Sequence, residues 1–260
     1  MWQPDGWDAR ARIGILMGHF DIGPEAEFEA MAPDGVTIHS TRIRTGITMP
    51  GASSDPRIAL AAIRAFADPP AIDDAAELLA AAPVQAISYG FFSSSYALGV
   101  DGDRALKARL ERRTRGIPIV IPGLAAVLAL RALKARRLAL VDPPWFSPEL
   151  TAMGADYFRS QGIDVVYAAP ATGLPQSQQD QSPSRLHGWV RTQVPRTADV
   201  VLTGGNGFRA VGAIEAWEED LGCPFLTANS VAFWNALRVA GVAAPVAHYG
   251  RIFAEPLPAE

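Results

Sequence analysis

The feature that most constrains the fold of this 260-residue chain is an alternation, met twice, of short β-like runs and helix-period stretches. The runs end in Gly, Pro or polar turns, the pattern of βα units that build parallel sheet. Strands are expected over residues 12–17, 36–42, 86–89 and 117–121, with helices over 73–82 and 103–115 between them. A second round starts at 137–141. Arg12-Ile13-Gly14-Ile15-Leu16 parallels Arg137-Leu138-Ala139-Leu140-Val141, and residues 85–91 parallel 199–205. Ile117-Pro118-Ile119-Val120 likewise parallels Cys223-Pro224-Phe225-Leu226, followed by amphipathic helices over 124–135 and 231–240. The expected fold is therefore α/β: two pseudo-symmetric lobes, each a parallel sheet flanked by helices, with an interlobe cleft. Residues 1–122 with 231–260 would form one lobe and 123–230 the other. Ligands of open α/β sheets bind beyond the carboxyl ends of the strands, which places the site in that cleft.

A hydrophobic content of 49% is enough for a large core. A net charge of -4 with no basic block gives no electrostatic footprint for nucleic acid or anionic membranes. No signal-peptide pattern or run of about 18 apolar residues is present, so a cytoplasmic protein is expected. One cysteine, Cys223, permits neither an internal disulfide nor a thiolate metal cluster, and the histidines at 19, 39, 187 and 248 are too scattered to suggest a metal motif. Neither metal nor cofactor is expected. Residues 170–184, rich in Gln, Ser and Pro, read as a surface connection or a lid over the cleft; residues 53–56 and 67–70 also look loop-like.

Four strand-end turns carry the chemistry. Gly18-His19-Phe20-Asp21, with Glu25 beyond, sets a histidine and an acid at the cleft mouth, where His19 can exchange protons near neutral pH. The alternative is a packing role for His19 and a helix cap for Asp21. Tyr89-Gly90-Phe91-Phe92-Ser93-Ser94-Ser95-Tyr96 offers hydroxyl and backbone donors to a carboxylate or oxyanion, unless Ser93, Ser94 and Ser95 only cap the helix. Thr203-Gly204-Gly205-Asn206-Gly207-Phe208-Arg209 allows close backbone approach, with Asn206 as an amide donor. In Thr227-Ala228-Asn229-Ser230, Asn229 either faces the ligand or caps the helix.

These turns, together with Pro224-Phe225-Leu226-Thr227-Ala228-Asn229-Ser230, Phe233-Trp234-Asn235-Ala236-Leu237-Arg238 and Tyr249-Gly250-Arg251-Ile252-Phe253, resemble the maleate isomerase and arylmalonate decarboxylase branch of the aspartate/glutamate racemase superfamily. The resemblance implies a homo-oligomeric enzyme in which two cysteines, one per lobe, flank a small carboxylate; the decarboxylases keep only the second. Here the alignment puts Phe91 at the first thiol position and Gly205 at the second. Asp21 falls where maleate isomerases carry a carboxylate-binding Asn, and Pro144 or Trp145 replaces a family tyrosine. Cys223, at the opposite end of its strand, cannot substitute for either thiol. The expected function is a cofactor-independent isomerase or lyase acting on a small carboxylate or carbonyl compound without cysteine. In the catalytic pair His19 and Asp21, His19 would be the acid/base and Asp21 would tune it, while Phe91, Ser93, Ser94, Ser95, Gly205, Asn206 and Asn229 line the substrate and oxyanion site. The alternative is a catalytically inactive relative that binds a metabolite.

Overall fold

A computed structural model describes residues 6–44 and 57–259. In chain order the first half comprises β1 (Ala11–Gly18), α1 (Gly23–Met31), β2 (Val36–Ile43), α2 (Leu60–Ala65), α3 (Ala71–Leu79), β3 (Ala86–Tyr89), α4 (Phe92–Arg113), β4 (Ile119–Val120) and α5 (Pro122–Ala132). The second half follows with β5 (Arg137–Asp142), α6 (Pro148–Arg159), β6 (Asp164–Pro170), α7 (Pro183–Gln193), β7 (Val200–Thr203), α8 (Ile214–Leu221), β8 (Phe225–Thr227) and α9 (Ala228–Val239). All strands pair in parallel, in two sheets of order β2-β1-β3-β4 and β6-β5-β7-β8. The internal parallels in the sequence thus occupy matching places: β1 with β5, β3 with β7, β4 with β8.

The central strands are apolar on both faces because helices cover both faces of each sheet. Every residue of β3 and β7 is buried. β2 is an edge strand, with residues 37–41 only partly buried and Arg42 exposed. β4 is shorter than the expected 117–121 because Pro118 has no N–H to donate and Pro122 already stands in the first turn of α5. The helix expected at 103–115 begins eleven residues earlier and is broken at Gly99, whose φ of 70° leaves helical geometry. Residues 67–70 form the turn between α2 and α3; the expected loop at 53–56 lies outside the described residues. Among the described residues no helix is long and apolar enough to cross a membrane.

Parallel topology aims every strand's carboxyl end the same way within its sheet. The turns after β1, β3 and β7 therefore meet between the lobes, where a Cβ added to Gly23 would lie 3.1 Å from the Asn206 carbonyl oxygen.

Candidate functional site

A cavity of about 40 Å³ lies where these turns converge. Phe20, Asp21, Phe66, Phe91, Phe92, Ser93, Trp145, Phe146, Gln178, Gly205 and Asn206 contribute to its walls. That volume holds about three waters. Its small size follows from the rings: Phe91 stacks on Phe66 at 4.5 Å between centroids and lies 5.1 Å from Tyr89, while Trp145 meets Phe208 edge-on.

Of the two catalytic residues expected at the first turn, the structure brings Asp21, expected only to tune the histidine, to the cavity and leaves the expected acid/base His19 exposed on the surface. The cause is local. β1 ends in a tight turn, with Asp21 N–H donating to the Gly18 carbonyl at 3.0 Å and His19 N–H to Ile43 at 2.9 Å. His19 occupies a corner of that turn, where side chains point outward. Asp21 folds back inside and its Oδ1 accepts the Gly23 N–H at 3.1 Å. Burial pushes its pKa up to about 6, against the opposing pull of the Gly23 N–H and the Arg42 charge. Arg42 itself is tied to the Asp21 carbonyl and to Glu25. The cap of α1 is Ile22, which makes no side-chain cap bond, so Asp21 is not the helix cap.

The three serines separate. Ser93 lines the cavity. Ser94 is fully buried, accepting from the Tyr89 hydroxyl at 2.9 Å and donating to the Ile63 carbonyl at 3.1 Å. Ser95 accepts the Gly123 N–H at 3.2 Å. Successive helical residues point about 100° apart, so three adjacent hydroxyls cannot converge on one anion. Ser94 and Ser95 are therefore packing residues rather than oxyanion donors.

Asn206 and Asn229 act together. Asn206 Oδ1 accepts the Phe92 N–H at 2.6 Å, satisfying the amino end of α4 from the other lobe, and its Nδ2 donates to Asn229 Oδ1 at 2.8 Å. Asn229 Nδ2 donates to the Asn206 carbonyl at 2.8 Å and to Glu27 Oε2 at 2.6 Å. The helix cap beside it is Thr227, within a capping box closed by Ser230, so Asn229 neither caps α9 nor reaches the cavity. Glu27 ends the ladder, its Oε1 accepting from the N–H groups of Ala210 at 2.9 Å and Val211 at 3.3 Å. Burial pushes Glu27 up to about 7. The reading of the strand ends did not include Glu27, yet a signal existed. Pro24, Glu27, Phe28 and Met31 fall on one helical face and all are buried, which makes the lone acid conspicuous.

Gly205, expected at the second thiol position, has φ of 76°, and a Cβ there would lie 2.4 Å from Pro143 Cγ. No side chain fits. Cys223 is half-buried ahead of β8, absent from the cavity walls, and burial holds its thiol pKa up. His248 is an exposed partner of Glu215 at 2.9 Å.

The arylmalonate decarboxylase family model matches residues 68–253, well over half of the sequence. The chain belongs to that family. A maleate isomerase from Pseudomonas putida is 28% identical over 165 residues, a match covering 59% of this chain and 60% of the relative. Among solved structures, the Pseudomonas putida S16 maleate isomerase with maleate superposes with TM-score 0.79 at 23% identity, covering 94% of this chain and 97% of the other. A Nocardia farcinica maleate cis-trans isomerase with a covalently bound succinylcysteine intermediate matches at TM-score 0.79, 21% identity, and 94% and 98% coverage. An arylmalonate decarboxylase matches at 0.70, 22%, and 94% and 99%.

Within this arylmalonate decarboxylase family member, residues 170–184 are more than a solvated connection. They contain a 3₁₀ turn, Gln178–Asp180, and Gln178 reaches the cavity wall. The segment is braced by Gln181, which is buried and bonded to the Pro175 and Ser177 carbonyls, and by Trp189, which donates to the Thr172 carbonyl at 3.0 Å.

Proposed function

We propose that this protein is a cofactor-independent isomerase or lyase for a small carboxylate or carbonyl compound, with Asp21 in place of cysteine as the proton-exchanging group. The observation that carries this reading is a buried carboxyl, pushed up to about 6, in the wall of a cavity where Gly205 leaves no room for a side chain. A general base is most effective when its pKa lies near the working pH. The Asp21 carboxylate would take a proton from a carbon next to a carbonyl. The electron pair then delocalises onto the carbonyl oxygen, which the Ser93 hydroxyl stabilises. Return of the proton to the same or a conjugated carbon gives isomerisation. Loss of carbon dioxide from a neighbouring carboxylate produces the same enolate, which Asp21 in its acid form would protonate.

The family relationship supports the isomerase-or-lyase class, and the homo-oligomeric state is part of the same proposal. We assign residues 1–122 and 231–260 to one lobe and 123–230 to the other, in keeping with the packing of α9 on α1 and β3.

The test is deuterium incorporation from D2O into a panel of 2-oxo acids, malonate derivatives and maleate, followed by NMR. The wild type is expected to exchange at least one of them, with a rate that rises as pH climbs through about 6. Asp21→Asn should slow it by roughly 10²–10⁴-fold. Exchange undiminished in Asp21→Asn would refute the role. Stabilising ligands that never exchange would favour the metabolite-binding reading instead.

A further inference from the structure

A second chamber of about 430 Å³ adjoins the cavity, and the two share Gln178 and Gly207 as a common wall. The Gln178 carboxamide lies directly over Gly207: a Cβ added to Gly207 would fall 2.2 Å from Gln178 Nε2. Since 40 Å³ holds only a few waters, a ligand larger than that extends beyond the cavity, and this partition borders the larger space beside it. The chamber's own surface says what kind of extension it takes. Ile22, 61% exposed, Ala26, Ala30 and Val211 provide an apolar lining, and Tyr249 adds an aromatic ring. At its rim stands Arg209, an exposed guanidinium without a hydrogen-bond or ion-pair partner among the described residues. Glu27 also borders the chamber, but both of its oxygens are engaged by Ala210, Val211 and Asn229, leaving Arg209 as the charge on offer.

We propose that cavity and chamber form one bipartite ligand site, partitioned by the Gln178 side chain, for a molecule with a small carbonyl or apolar head beside Asp21 and a carboxylate-bearing aliphatic tail held by Arg209. This rests on the reading of the cavity as the reaction site and names the substrate class it takes. It also accounts for an acid at position 21, which in its ionised form would repel a second carboxylate: the ligand's anionic end lies at the other pole. A guanidinium holds a carboxylate through two parallel N–H bonds, which fixes the direction in which the tail points.

The experiment is isothermal titration calorimetry of acetate, butyrate, hexanoate and octanoate against the full chain. Affinity should rise about fourfold per buried methylene until the chain fills both compartments. Arg209→Gln should weaken hexanoate at least tenfold, and methyl hexanoate should bind the wild type no better than hexanoate binds that variant. Gln178→Ala should move the plateau to a longer chain. Thermal unfolding of both variants checks that they are folded. Affinity independent of chain length, or Arg209→Gln binding hexanoate as the wild type does, overturns the proposal. Asp21→Asn separates the two readings. Carboxylate binding that survives in it while proton exchange is lost supports both. A chain-length series that fails while exchange still depends on Asp21 removes the bipartite site alone.

Discussion

Replacing Gly205 by cysteine is expected to cost on the order of 3 kcal/mol and to lower the thermal midpoint by about 6–12 °C, instead of reinstating a working thiol. Two penalties combine. At φ of 76° an L-residue carries a left-handed backbone cost of about 1–2 kcal/mol. The new Cβ would also press into the Pro143 ring, whose Cγ lies 2.4 Å and Cδ 3.1 Å away. Gly205→Ala should lose nearly as much, since the clash begins at Cβ. Adding Pro143→Ala should return the steric share and leave the backbone share, which a double-mutant cycle followed by circular dichroism would resolve. A cysteine variant as stable as the wild type, with a thiol that alkylates readily, would show that the Pro143 turn yields and that the glycine is incidental.

Asn229→Leu is expected to destabilise the protein by roughly 3–5 kcal/mol at neutral pH, a large loss for a residue touching no substrate. Leucine fills the volume but strands both neighbours: Glu27 Oε2 loses a 2.6 Å donor, and the Asn206 amide loses the acceptor that orients it toward Phe92. The deficit should depend on pH through Glu27. A carboxyl whose folded pKa lies above its unfolded value binds its proton more tightly in the native state. Glu27's contribution is therefore intact below about 4.5 and lost as pH rises through about 7, a decline of about 3 kcal/mol in the wild type. Asp21 and Asp142, raised by burial to about 6 and about 7, push in the same direction, so stability should peak on the acid side of neutrality. Removing the Asn229 amide raises Glu27 further and enlarges the deficit with pH. Urea titrations between pH 4 and 8 measure both slopes, and Glu27→Gln should erase Glu27's share of the wild-type decline. An Asn229→Leu deficit constant across that range would mean that Glu27 does not carry the effect.

The architecture was legible because it rests on local pattern. Buried central strands such as residues 86–89 must be continuous apolar runs, helices must repeat at 3.6, and duplication shows as matched runs. β4 and α4 were misjudged at their edges, where proline chemistry and one left-handed glycine, Gly99, set limits that hydrophobic pattern does not encode. The site was legible only as a set of turns. That His19 faces solvent and Asp21 the cavity depends on which corner of a turn each occupies. That one serine of three faces the cavity depends on helical phase.

By itself, then, the sequence determined the class of fold, the pairing of its halves and the presence of a single cysteine, since these follow from residue identity and short-range periodicity. Only the tertiary structure decided that Gly205 has no room for a side chain, that Asn206 and Asn229 join Glu27 in bracing the lobes, and that Asp21 is the acid in the cavity wall. Those facts come from atoms as many as 202 residues apart brought within hydrogen-bond distance, where low dielectric and close packing, rather than local preference, set the chemistry.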